Sequence, residues 1–114
     1  MEKKIQQLTE LWYELVILDH HKDRDCHWYI NTTYSYGYSP KFTIEHYGYI
    51  GDEINEEETT YARAEERLYY ILKEAFDSES KWATDVLKKK DGWDEEQINR
   101  AERIQKIVEK VNEL

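Results

Sequence analysis

The chain has 114 residues, 16 of them Lys or Arg and 25 Asp or Glu, for a net charge of −9. Nucleic-acid affinity draws mainly on Lys and Arg neutralising phosphates, so this balance argues against a generic DNA or RNA binder, and equally against an anionic membrane surface. It favours solubility and basic protein partners, and a chain of this length forms one domain, residues 1–114, with a real core.

Leu, Ile, Val and Phe make up only about a fifth of the residues, near the level at which charged chains stay disordered. Ten tyrosines and four tryptophans offset that shortage, because each large ring buries roughly 150–250 Å². One cysteine, Cys26, leaves no intrachain disulfide, as in a reducing cytosol. The first residues, Met1-Glu2-Lys3-Lys4-Ile5, have no apolar signal segment, so the expected location is cytoplasmic.

Residues 3–18 predict an amphipathic helix, with Ile5, Leu8, Leu11, Trp12, Leu15 and Leu18 at spacings of three and four. A polar run from Asp19 to Asp25 ends it. Eight aromatic residues then fall within the 22 positions from Trp28 to Tyr49, six of them tyrosines. Polar and aromatic residues alternate there with a period of two, which predicts a hairpin of strands 26–36 and 41–50 around Tyr36-Gly37-Tyr38-Ser39-Pro40. Even positions form the expected buried face: Trp28, Ile30, Tyr34, Phe42, Ile44 and Ile50. Pairing evens with evens places Tyr29 near Tyr47 and His27 near Tyr49 on the outer face. A slip of one residue would swap the faces.

Gly51-Asp52 leaves room for a short third strand around Glu53 to Asn55. Glu56, Glu57 and Glu58 read as the lead-in to a helix capped by Thr59 or Thr60. That helix starts near Tyr61 and continues past Asp77-Ser78, a candidate kink, to Lys88, Lys89 and Lys90, with Gly92 as a left-handed cap. Asp94 caps the last helix, and Gln97 completes a capping box. The stripe from Ile98 to Leu114 follows, and the short turn makes the last two helices antiparallel neighbours. The expected fold is α+β: an N-terminal helix, an antiparallel hairpin with room for a third strand, and two C-terminal helices packed on one sheet face.

Four chemistries compete for a site. His20, His21, Cys26 and His27 lie close in sequence, and His46 could approach from the partner strand. Imidazole and thiolate are zinc ligands, and Cys26 with a histidine could form a thiol nucleophile and base. The ligands lack the spacing of structural zinc sites, and Cys26 belongs with the inward set, so neither metal, cofactor nor enzymatic activity is expected. Aromatics on a strand face also stack unpaired bases, which makes a single-strand nucleic-acid binder an alternative. The order helix, strands, helix over residues 3–76 is similar to that of double-stranded-RNA-binding domains. The lysine cluster such domains carry at the start of their last helix is replaced here by Thr59, Thr60, Tyr61, Ala62 and Arg63.

The reading favoured by charge is protein binding. Tyrosine offers a large rigid contact with a polar tip. Tyr29, Tyr47 and Tyr49, flanked by Asp52, Glu53, Glu56, Glu57 and Glu58, would suit a partner with a basic surface. In composition the chain resembles small acidic accessory proteins of phages and mobile elements, including inhibitors that act by charge mimicry. A homodimer through the C-terminal helices or the hairpin edge is a further expectation.

Overall fold

A computed structural model describes residues 1–18, 26–47 and 54–114, with the backbone alone at 16–18, 47 and 54–56. The elements are α1 (Glu2–Leu18), β1 (His27–Thr33), β2 (Lys41–Tyr47), β3 (Ile54–Glu58), α2 (Tyr61–Lys88) and α3 (Glu95–Asn112). The strands form one antiparallel sheet in the order β1-β2-β3. The molecule is elongated, 61 × 28 × 22 Å.

The core follows from the helical stripes. Ile5, Leu8, Trp12 and Leu15 of α1 are buried with Ala64, Leu68, Leu72, Phe76, Ala83 and Val86 of α2. Ala101, Ile104, Ile107, Val108 and Val111 of α3 complete the cluster. Trp12 meets Phe76 edge-on, with ring centroids 5.0 Å apart. Polar contacts fix the helix pairs at their margins. Gln105 donates to Thr84 Oγ1 at 2.8 Å between α3 and α2, and Lys110 lies 3.6 Å from Glu14 between α3 and α1. Arg100 stacks over Trp82, 5.0 Å from the ring centroid, and Trp82 in turn meets Trp93 edge-on.

The α+β architecture is as expected. Within it α2 lies against all three strands, while α3 packs on α2 and α1. Helix α2 runs through Asp77-Ser78 as one continuous α-helix. Its N-cap is Thr60, whose Oγ1 accepts from Arg63 N at 3.1 Å. Gly92 has the positive φ expected of it, +92°, but it lies in the turn before α3 and is not the cap of α2, which is Lys89.

The capping box of α3 forms in full: Asp94 Oδ1 accepts from Gln97 N at 2.7 Å, and Gln97 Oε1 from Asp94 N at 3.3 Å. Asp94→Ala should therefore lower stability by about 1 kcal/mol. Thermal unfolding checks this: the melting temperature falls in Asp94→Ala and recovers in Asp94→Ser. An unchanged melt would show that the cap adds nothing to tertiary packing.

Three sequence expectations are corrected. Strand β1 stops at Thr33, so Tyr34 is not a core residue but 76% exposed. The hairpin register differs by two residues: Tyr29 pairs with Glu45 and His27 with Tyr47. The even–even parity holds, because it decides which face meets the core, whereas the turn decides where along the strand pairing begins. Third, β3 contains Glu56, Glu57 and Glu58, which were expected as a helix lead-in. They sit opposite Ile44, Thr43 and Phe42, and ladder pairing overrides the poor strand preference of glutamate. His46, an even position, belongs to the buried face, with 1% of its surface exposed. Ile44 is fully buried, and Trp28, Ile30 and Phe42 are half-buried against the core. Ile50 lies outside the described residues.

Candidate protein-binding face

The period-two pleat sorts the sheet into two faces. Phe42, Ile44 and His46 face the helices. Phe42 meets Tyr61 at the start of α2 edge-on at 6.4 Å, and His46 Nε2 lies 3.5 Å from Thr9 Oγ1 of α1. Both helices that reach the sheet are thus on the even side. The odd side carries His27, Tyr29, Asn31 and Thr33 from β1 and Lys41, Thr43 and Glu45 from β2. Tyr29 is 41% exposed, Asn31 and Thr33 are exposed, and Glu57 of β3 stands out on the same side.

This outer face is ordered by its own side chains. The rings of His27 and Tyr29, two residues apart on one strand, lie 5.6 Å apart. Asn31 Nδ2 donates to Glu45 Oε2 at 2.9 Å across the strands. Lys41 lies 3.9 Å from Glu57, with both side chains well exposed. Such a pair contributes little to stability. Its consequence is local: the lysine of this face is balanced by a carboxylate, so the surface has no excess positive charge to attract phosphates.

Beyond Thr33 the chain turns on Gly37, at φ +81°, with Tyr38 N donating to Ser35 O at 3.0 Å. The positive φ at the third position of the turn favours glycine. Tyr36 is fully exposed and Tyr38 is 77% exposed, beside the exposed Tyr34. Three tyrosines therefore stand on the hairpin tip, with no charged residue from Tyr34 to Pro40. An open groove of about 410 Å³ runs between Tyr38, Pro40 and Lys41 on one side and Glu57 to Thr59 on the other. The sequence placed the turn at Tyr36 to Pro40 but assigned Tyr34 to the core and did not count Tyr36 and Tyr38 among the partner-binding residues. The turn chemistry at Tyr36-Gly37 was the signal that the strand had already ended.

Of the expected partner-binding residues, Tyr29 and Glu57 lie on the open face. Tyr47 pairs with His27, Glu56 lies opposite Ile44, and Glu58 opposite Phe42 on the helix side. Tyr49, Asp52 and Glu53 lie outside the described residues. So do His20 and His21. Among the described residues no group of three or more His, Cys, Asp or Glu is placed to hold a metal ion. Cys26 is half-buried and lines a separate groove of about 280 Å³ with Gln6, Thr9, Glu10 and Tyr13.

His46 is held for packing. Thr9 Oγ1 donates to Ile5 O at 2.9 Å, so its oxygen is left to accept from His46 Nε2–H. The neutral Nε2–H tautomer follows. His46 Nδ1 and Trp12 Nε1 have no hydrogen-bond partner among the described residues. Burial, with the nearby His27, lowers the His46 pKa from 6.5 to about 4. Near the turn end of the hairpin, where its ring meets Phe42, burial, with Glu65 and Glu2, raises the Tyr61 hydroxyl above its ordinary value.

No helix among the described residues is long and apolar enough to cross a membrane. No family model matches the chain, and no match was found among curated proteins or solved structures.

Proposed function

We propose that this chain is a non-enzymatic, cytoplasmic protein-binding module. It would act by presenting the outer sheet face and the hairpin tip to a partner protein. The observation that supports this reading is that, among the described residues, the helices lie on one side of the sheet, while Tyr29 on the other side is 41% exposed and Tyr34, Tyr36 and Tyr38 project beyond it. Exposed aromatic rings with polar tips are the residue type enriched at protein interfaces. The expected surface adds Tyr47, Tyr49, Asp52, Glu53 and Glu56 to Glu58, and the carboxylates suit a basic partner. An accessory or inhibitor role, of the kind small acidic phage and mobile-element proteins fill, accords with that charge.

The test is a variant with Tyr29, Tyr34, Tyr36 and Tyr38 all changed to Ser. Partners captured from the source cell by the wild-type chain are identified by mass spectrometry, and the purified partner is titrated against both forms. A single interface hot spot contributes about 2 kcal/mol or more, so affinity should fall at least on the order of tenfold, with the circular dichroism unchanged. Equal affinity for both forms would remove these tyrosines from the site. Binding of single-stranded nucleic acid by the wild type, lost in the variant and weakened by salt, would favour the base-stacking alternative.

A further inference from the structure

The two edges of the sheet differ in a way the fold does not require. Strand β3 reads Ile54-Asn55-Glu56-Glu57-Glu58, so one edge carries three successive carboxylates. Charged residues on an edge strand discourage pairing with another chain. Strand β1, at the other edge, reads His27-Trp28-Tyr29-Ile30-Asn31-Thr32-Thr33. It contains no Lys, Arg, Asp, Glu or Pro in a chain of which 36% is charged. Among the described residues it has a strand on one side only. Its residues Asn31, Thr32 and Thr33 are exposed, and Trp28 and Ile30 on the helix side remain only half-buried.

We propose that β1 pairs antiparallel with β1 of a second copy of this chain, forming a continuous six-stranded sheet. Self-pairing about Ile30 sets Ile30 opposite its own copy and Trp28 opposite Thr32 of the second copy. An aromatic residue facing a β-branched one is a favourable cross-strand pair. On the helix side the row Ile44–Ile30 would run on into its symmetric copy, covering the half-buried rim of the core. Charge selects this edge for a second copy. With a net charge of −9 on each chain, two copies avoid setting like charges opposite one another only where the paired strands are neutral. Pairing through β3 would stack glutamates instead. The two-fold axis stands perpendicular to the sheet, so both outer faces lie on the same side.

A seven-residue strand pair buries less than the roughly 1,200 Å² of a stable interface, so the dimer is weak and concentration-dependent. Sedimentation equilibrium of the wild-type chain should show self-association between micromolar and millimolar concentration. Thr32→Lys and Thr33→Lys, at exposed positions, should abolish it with unchanged melting temperatures. Hydrogen exchange of the Ile30 to Thr33 amides should slow as wild-type concentration rises. A chain that stays monomeric at millimolar concentration, or a dimer that survives Thr32→Lys, overturns the proposal. So does association without added protection at β1, which would place the contact on the hairpin tip or the C-terminal helices. The measurement uses the chain alone, so its outcome is independent of the partner-binding reading.

Discussion

Phe76→Ala should remove about 3–5 kcal/mol of stability, the range seen when a buried aromatic is cut back to a methyl group. Phe76 is 1% exposed at the middle of α2, and its ring meets Trp12 of α1 edge-on at 5.0 Å. The substitution removes apolar contact, leaves a cavity, and breaks an aromatic pair that contributes about 0.5–1.5 kcal/mol beyond its area. Small domains have only about 5–15 kcal/mol in total, so the variant should sit close to its unfolding threshold. Denaturant titration reads the effect as a lower midpoint at an unchanged slope. Tyr36→Ala is the control: the ring is fully exposed, and surface changes of this kind stay within about 0.5 kcal/mol. A loss at Phe76 no larger than that at Tyr36 would show that α1 is not docked where the rings place it.

The second large effect is on pH. His46 is buried and neutral, and its pKa is lowered to about 4 from an unfolded value of 6.5. Between those values the unfolded chain binds a proton that the folded chain does not, so stability rises with pH across this window. The stabilisation is fully present above pH 6.5 and is lost as pH falls towards 4. Its size is about 3 kcal/mol at 1.36 kcal/mol per pKa unit. Carboxylates titrate near the bottom of the same window, so the comparison is with His46→Leu, which keeps their contribution. The difference in unfolding free energy between the two proteins should be constant above pH 6.5 and should shift in favour of His46→Leu as the solution is acidified. Parallel pH profiles would assign the acid sensitivity to the carboxylates instead.

The parts of the fold that were readable in advance are those fixed by neighbours in sequence. The Asp94–Gln97 box and the apolar stripe of α3 depend on spacings of three and four within one helix. The parity of the hairpin was readable for a similar reason, since Ile44 and Phe42 had to face the core whatever the register. The register was not, because shifting both strands by two residues keeps every side chain on its face. A short third strand was readable, but Tyr34 and the extent of β3 over Glu56 to Glu58 were not, through their dependence on distant partners. Tyr34 looks like strand until the register is known, which sets Thr33 opposite Lys41 and leaves Tyr34 past the last pair, and Glu56 to Glu58 look like a helix start until β2 pairs with them. His46 was considered for its chemistry, and the contact with Thr9 that makes it a core residue joins positions 37 apart in sequence. On the candidate site, the Tyr29 face was legible from alternation and the turn from Tyr36-Gly37, whereas the exposure of Tyr34 was concealed by its strand-like composition.

Helix α2 has 28 residues, about 42 Å at 1.5 Å per residue. It is a wall shared by the sheet and the other two helices. Phe42 meets it at Tyr61, Trp12 at Phe76, and Gln105 at Thr84. Neither the sheet nor the α1–α3 side can detach without baring an apolar stripe of α2 to water. The shared wall couples the two halves of an elongated molecule, so they should melt in one transition rather than two.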